Sequence, residues 1–410
     1  MTRLLFWAAG ALIGFTYVGF PALVALRARL VPRPHRRDDI TPLVSVIIAA
    51  HDERPHIGGR VDNLLAQDYP ADRLEIIVAS DGSEDGTPEA ARRDDPRVIV
   101  LDLPRVGKAS ALNAAVDRSR GEILVFTDAN TSYAPNAIRA LVRSFADPEV
   151  GGVAGDQVYF PAPSGGAAVA DAGTDSVGVG ERSYWNFDRR IKVYESLVGN
   201  VISATGAIYA LRRELFRAVP EGVTDDFITS TRVIDQGRRL VFETEAMAFE
   251  PVAQSSRMEY RRKVRIMTRG LRGVIFARAL LDPRRYGFYA VQLATHKVLR
   301  RLMAIPLLLI AATSPLLWGR GALYRLATVG QVGVYGLGAL GLLLRERPVG
   351  RRRILALPAF FCLVNVAALH ALFNLVTGRR IARWVPDRGA APPGNPAGQE
   401  PPADEEPPVA

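Results

Sequence analysis

Four apolar runs without a charged residue, Leu4 to Leu26, Leu302 to Gly319, Leu326 to Leu344 and Ile354 to Gly378, flank a long segment in which short apolar runs end in polar turns. Each is close to the roughly 20 residues that a helix needs to cross a hydrocarbon core about 30 Å thick, and none shows the polar stripe of a soluble amphipathic helix. Pro306 and Pro315 make the second run the least regular. The first ends in Arg27, Arg29, Arg33, Arg36 and Arg37, not in a small-residue cleavage site, which predicts a retained anchor with its basic flank in the cytoplasm. One span before the polar segment and three after it would leave the C-terminus outside, whereas Arg379, Arg380 and Arg383 favour inside. Either one run fails to cross or the tail departs from the positive-inside pattern.

Between Pro42 and about Pro251 the pattern changes to strand, helix, strand, helix. Val44 to Ala50, Leu74 to Ala79, Val98 to Leu103 and Ile123 to Thr127 are short apolar runs that predict buried strands, and Ile57 to Gln67 and Ala109 to Arg118 have helical spacing. This order predicts an α/β domain built on a doubly wound, mostly parallel sheet covered on both faces, with ligands at the carboxyl ends of the strands. The expected organisation is an N-terminal transmembrane helix over 1–29, a cytoplasmic catalytic domain over 30–255, amphipathic interfacial helices over 256–300, transmembrane helices over 301–380 and a disordered tail over 381–410. The tail is rich in Pro, Ala, Gly and Glu and nearly devoid of apolar clusters.

Composition narrows the partners. The 410 residues carry a net charge of +10, but the arginines crowd beside apolar segments and do not line an aromatic-rich groove, so anionic lipid headgroups are expected and nucleic acid is not. A single cysteine, Cys362, excludes an internal disulfide and reads as packing in an apolar run.

The predicted strands end in chemistry. His51-Asp52-Glu53 follows the first, Ser80-Asp81-Gly82-Ser83 the second and Asp128-Ala129-Asn130 the fourth. Carboxylates there suit the N–H of a base and the hydroxyls of a ribose, although each of these segments alone is also an ordinary turn. Gly107-Lys108 opens a helix, where a diphosphate would meet both a cation and amide dipoles; Lys108 alone would more often be a solvated surface residue. Asp128 and Asn130 offer two oxygen ligands to Mg²⁺ or Mn²⁺, whose charge would offset a departing diphosphate.

The segments SVIIAAHDE, ASDGSEDGT, GKASALNAA, FTDANTSYAPNAI, SATGAIYALRREL and TDDFITSTRVIDQGRRLVFE, in this order over about residues 42 to 300, resemble glycosyltransferase family 2, above all its membrane-integrated polysaccharide synthases of the cellulose and hyaluronan synthase type. The resemblance implies a GT-A type domain using a UDP-sugar. It implies nucleotide contacts from Glu53, Asp81, Lys108 and Asp128, a metal on Asp128 and Asn130, and acceptor contacts from Thr205, Gly206, Arg265 and Arg269. Thr224-Asp225-Asp226 matches the family's Thr-Glu-Asp, so Asp226 is the expected general base with Asp225 beside it. As a purely structural matter, the two acids also suit the first turn of a helix capped by Thr224.

Three departures stand out. His51 and Asp52 replace the family's tyrosine and asparagine, Asn130 replaces the second metal-binding acid, and Arg262 and Ile266 replace the glutamine and tryptophan around the arginine that Arg265 matches. Arg261 to Arg272 also reads as an interfacial helix with Val264, Ile266, Leu271, Val274 and Ile275 towards the membrane, Tyr286 to Arg301 as a second one with His296 in packing, and Tyr184 and Trp185 as ring faces for a sugar or as core. The expected function is inverting transfer to a growing polysaccharide or glycolipid at the cytoplasmic face of the inner membrane. Single transfer to a polyprenyl-phosphate lipid is the alternative, and a catalytically inactive membrane sensor or transporter component the outlier.

Overall fold

The computed structural model describes residues 1–160, 176–251, 256–345 and 347–379. The tail over 381–410 and most of the 161–180 stretch fall outside these residues, as do the side chains of Tyr184 and Trp185. The elements used below are helices α1 (Thr2–Leu30), α2 (Arg54–Leu65), α3 (Lys108–Arg118), α4 (Ala137–Arg143), α5 (Ser176–Leu197), α6 (Asp225–Asp235) and α7 (Ser256–Phe276). After these come α8 (Phe288–Leu302), α9 (Ala304–Leu316), α10 (Ala322–Leu343) and α11 (Arg353–Val376). The strands are β1 (Val44–Ala50), β2 (Leu74–Asp81), β3 (Val98–Leu103), β4 (Ile123–Thr127), β5 (Ser132–Tyr133), β6 (Val150–Phe160), β7 (Tyr209–Arg212) and β8 (Arg239–Pro251).

These strands form one sheet in the order β3-β2-β1-β4-β7-β6-β8-β5. The half built from β3, β2, β1 and β4 is parallel, with Val44 opposite both Leu74 and Ile123. Beyond it β7 runs antiparallel to β4 and β6, β6 pairs parallel with β8, and β5 closes the edge antiparallel to β8.

Alternation along the strands builds two cores. Val44, Val46 and Ile48 face α2 and α4 through Ile57, Val61, Leu64, Ile138 and Leu141, while Ile47 and Ala49 face Ala111, Leu112, Ala115 and Val116 of α3. Both faces of β1 and β2 are therefore buried, which is why these strands read as continuous apolar runs. The second core continues into Phe227 and Ile228 of α6, Val274 of α7, and Tyr289 and Leu293 of α8. The predicted interfacial segments thus complete the core of the catalytic domain. That corrects one expectation: Val264, Leu271 and Val274 are buried within the protein, and only Ile266 and Ile275 of that set remain exposed.

Among the described residues three helices, α1, α10 and α11, are long and apolar enough to cross a membrane. The run that starts at Leu302 forms α9, only 13 residues long and bent by 52° from α8, so the two make at most one broken span. The basic segment after α1 is fastened to the domain: Arg33 N donates to Leu197 O at 2.7 Å, and Arg37 pairs with buried Glu243 at 3.5 Å.

Candidate active site

The carboxyl ends of β1, β2 and β4 and the first turns of α3 and α6 meet at one cleft. At the end of β1 the backbone of Asp52 adopts φ +53, a conformation that a non-glycine residue holds only when neighbours fix it. Here they do. Its amide donates to Ser83 Oγ at 3.1 Å, its Oδ1 accepts from Glu84 N at 3.1 Å, and His51 Nδ1 donates to Asp81 O at 2.8 Å. Glu53 is buried beside them and its amide donates to Thr87 Oγ1 at 2.8 Å.

Asp81 is fully buried. Its Oδ1 accepts from the amides of Val106 and Gly107 at 2.6 and 2.8 Å, which shapes the turn just before Lys108. Gly82 has to be glycine: φ is +58, and a Cβ would come 2.8 Å from Arg105 N. Asp81 Oδ2 has no hydrogen-bond partner, with Arg105 Nε 3.7 Å away, so one acceptor oxygen remains at the predicted nucleoside end.

Lys108, at the first position of α3, lies between two carboxylates. Its Nζ is 2.9 Å from Asp128 Oδ1 and 3.1 Å from Asp225 Oδ2. Burial works against the ammonium, but Asp128 and Asp225 together hold it firmly charged. Burial likewise pushes the Asp128 carboxyl up, and Lys108, Arg262 and Arg265 more than offset this, leaving it below its ordinary value. The arginines of α7 therefore act on the Asp128 end of the cleft. Arg269 donates from Nη2 to Val223 O at 3.0 Å and braces the turn that leads into α6.

Thr205 and Gly206 arrive from the opposite wall. A Cβ on Gly206 would come 2.9 Å from Asp128 Oδ2, so glycine lets the predicted acceptor-side loop close on that carboxylate. Thr205 Oγ1 and Thr224 Oγ1 are buried without hydrogen-bond partners. Thr224 thus precedes α6 without capping it through its side chain, unlike the structural reading of that motif. Asp226 follows with a carboxyl raised to about 6. Burial is the main cause and the charge of Asp225 the second, while Lys297 and Lys108 pull the other way. An acid tuned near neutrality can accept a proton and release it again.

Sequence reasoning missed two groups. Arg60 is fully buried on α2, stacks 3.9 Å over the Tyr133 ring and donates to Thr127 Oγ1 at 2.8 Å, placing a cation behind Asp128. Its signal was present, since Arg60 falls on the apolar stripe of Ile57, Val61 and Leu64. Lys297 on α8 acts on Asp226 and lies 5.8 Å from the Phe227 ring centroid. Nothing local marks it, because α6 and α8 are distant in the chain.

The donor set also bears on a metal. Among the described residues no three His, Cys, Asp or Glu side chains form a metal cluster. Asp128 and Asn130 would supply one carboxylate and one amide, a donor set that suits a hard divalent cation completed by phosphate oxygens and water and not a dedicated protein cage.

The model of the glycosyl transferase family 2 matches residues 45–219 of this chain. Along the chain as a whole, an N-acetylglucosaminyltransferase of Rhizobium sp. strain N33 is 26% identical over 294 residues, 67% of this chain and 63% of the relative. A beta-monoglucosyldiacylglycerol synthase of Synechocystis is 29% identical over 185 residues, 40% of this chain and 39% of the relative. The chain therefore spans less than two thirds of the length of either. Among solved structures, the mannosyltransferase PcManGT from Pyrobaculum calidifontis, in complex with GDP-Man and Mn²⁺, superposes with a TM-score of 0.66. It is 26% identical, and the match covers 92% of this chain and 100% of that one. The fold is of the GT-A type, as expected.

Proposed function

We propose that this chain is a membrane-bound inverting glycosyltransferase that moves a sugar from a UDP-sugar to a growing polysaccharide or glycolipid at the cytoplasmic membrane face. The observation that carries this reading is the convergence of Lys108, Asp128, Asp225 and Asp226 on one cleft beside the Gly206 loop, within a family 2 domain. Glu53 and Asp81 hold the nucleoside, and Lys108 takes up the charge of the diphosphate. An acceptor hydroxyl positioned by Thr205, Gly206, Arg265 and Arg269 attacks the anomeric carbon opposite the leaving group. As the new glycosidic bond forms and the bond to the diphosphate breaks, the hydroxyl proton passes to Asp226. Asp128 and Asn130 would hold Mg²⁺ or Mn²⁺, which supplies charge neutralisation at the departing diphosphate.

A single transfer to a lipid is the second reading, supported by the Synechocystis relative, which is named for synthesis of a glucosyl diacylglycerol. The PcManGT complex contains GDP-Man, so guanosine donors belong in the test. If α1, α10 and α11 cross and α9 does not, the chain beyond α11 returns to the side of the catalytic domain, where Arg379 obeys the positive-inside pattern.

Purified protein incubated with radiolabelled UDP-sugars and GDP-mannose, with Mg²⁺ or Mn²⁺, decides among these. High-molecular-weight product supports polymer synthesis and one organic-soluble product supports lipid transfer. Absence of any transfer by protein that binds nucleotide would refute the proposal.

A further inference from the structure

The stretch from Tyr289 to His296 on α8 grips the loop that delivers Thr205 and Gly206, and no role assigned above accounts for it. Tyr289 Oη donates to Ile202 O at 2.9 Å, and Gln292 Nε2 donates to Asn200 O at 3.2 Å. Buried His296 places Nδ1 2.9 Å from Glu195 Oε1 and Nε2 2.8 Å from Asp188 Oδ1. Both ring nitrogens thus face carboxylate oxygens, one on each side of the ring. Glu195, itself fully buried, turns its other oxygen to accept from the Ile202 amide at 3.0 Å. The loop continues through Ala204, whose amide donates to Ser230 Oγ of α6 at 3.1 Å, to Gly206 beside Asp128.

Resting on the glycosyl-transfer reading, we propose that His296 is a positioning residue that acts through Glu195 to fix the 200–206 loop, and with it the acceptor-side wall of the cleft. The two carboxylates around it are not equivalent. Asp188 also has Arg300 at 3.0 Å and Lys192 at 3.5 Å, whereas among the described residues no other side chain donates a hydrogen bond to Glu195. Losing the bond to Asp188 is therefore tolerated, and losing the bond to Glu195 leaves a buried carboxylate short of a donor.

This asymmetry gives a test within one side chain. Asparagine places its amide nitrogen near the position of Nδ1 and glutamine near that of Nε2. In the full-length protein in detergent, His296→Gln keeps the Asp188 bond only, and His296→Asn keeps the Glu195 bond only. We expect His296→Gln to speed amide exchange across 200–206 and to raise the acceptor KM about tenfold, with UDP affinity retained. His296→Asn should stay close to the parent protein. Tyr289→Phe, which keeps the ring and removes the bond to Ile202, should reproduce the glutamine phenotype.

Equal behaviour of the two His296 variants would overturn the proposal. So would unchanged loop exchange in both His296→Gln and Tyr289→Phe. Exchange reads the loop without turnover, so a parent protein that transfers no sugar would count against the glycosyl-transfer reading alone, and the exchange comparison would still decide the role of His296.

Discussion

The Lys108 ammonium is 3.1 Å from Asp225 Oδ2, joining the helix of the predicted diphosphate end to the helix of the predicted base. Its second partner, Asp128 Oδ1 at 2.9 Å, makes it the cation shared by two acids that would otherwise repel. Lys108→Met removes that charge and leaves both carboxylates half-buried without it. Breaking such a hydrogen-bonded charge costs on the order of 1–3 kcal/mol. UDP affinity measured by calorimetry with Mn²⁺ present should fall by about tenfold or more, and an unchanged dissociation constant would remove Lys108 from the donor site.

Because Asp226 is raised to about 6, transfer should follow a single acid limb. The log of kcat/KM should climb with unit slope below about pH 6 and level off above it, as a base must be ionised to take the acceptor proton. Asp226→Asn should abolish transfer while leaving UDP affinity intact, since the base acts only as the acceptor is deprotonated. The sign for stability is opposite to that for activity. With a folded value near 6 against an ordinary 3.8, the folded state binds the extra proton, so stability falls as pH rises from 3.8 through 6. Asp226→Asn should therefore melt higher than the parent at about pH 8, and the gap should narrow towards about pH 4. Equal melting temperatures across that range would show the carboxyl to be ordinary.

Asp225 contributes to that raised value through its negative charge. Asp225→Asn should move the acid limb of the pH–rate profile to lower pH, because the remaining acid then ionises more easily. A shift in the other direction would mean that release of Lys108 dominates at Asp226.

Gly206 offers the sharpest steric test. Its backbone is not left-handed, so alanine meets no conformational penalty there, yet the added Cβ would come 2.9 Å from Asp128 Oδ2. Gly206→Ala should lower kcat by at least about tenfold and raise the Mn²⁺ concentration needed for half-maximal rate, with the far-ultraviolet circular dichroism spectrum unchanged. Full activity in this variant would place the acceptor loop away from Asp128 during turnover.

How much of this was legible follows from where each signal lies. Ile123–Thr127 was bounded correctly because a strand buried on both faces is an unbroken apolar run ended by a polar turn, and Val98–Leu103, half-buried at the sheet edge, was read from its apolar residues despite Asp102. Strands β6, β7 and β8 were not read. Val150–Phe160 and Arg239–Pro251 mix small, charged and apolar residues, and they are strands because they pair with each other in a register that no local window contains. At the site, the chemistry-bearing residue types were visible one by one. The pairing of Lys108 with Asp225 was not, since 117 positions separate them and only the folded sheet brings them together. His296 read as packing for the same reason: its carboxylate partners lie on α5, a hundred residues earlier. The buried Val264, Leu271 and Val274 show the limit of periodicity, which finds an apolar face and cannot say whether lipid or protein covers it.

Gly273 of α7 lies so close to the residue after the base that a Cβ there would come 2.9 Å from Phe227 Cδ1. Two helices in such contact have no slack of even a methyl group, so a shift in one is passed on to the other undamped. The seating of α7 against the sheet domain therefore bears on the Phe227 ring and, one residue back, on the reach of the Asp226 carboxylate.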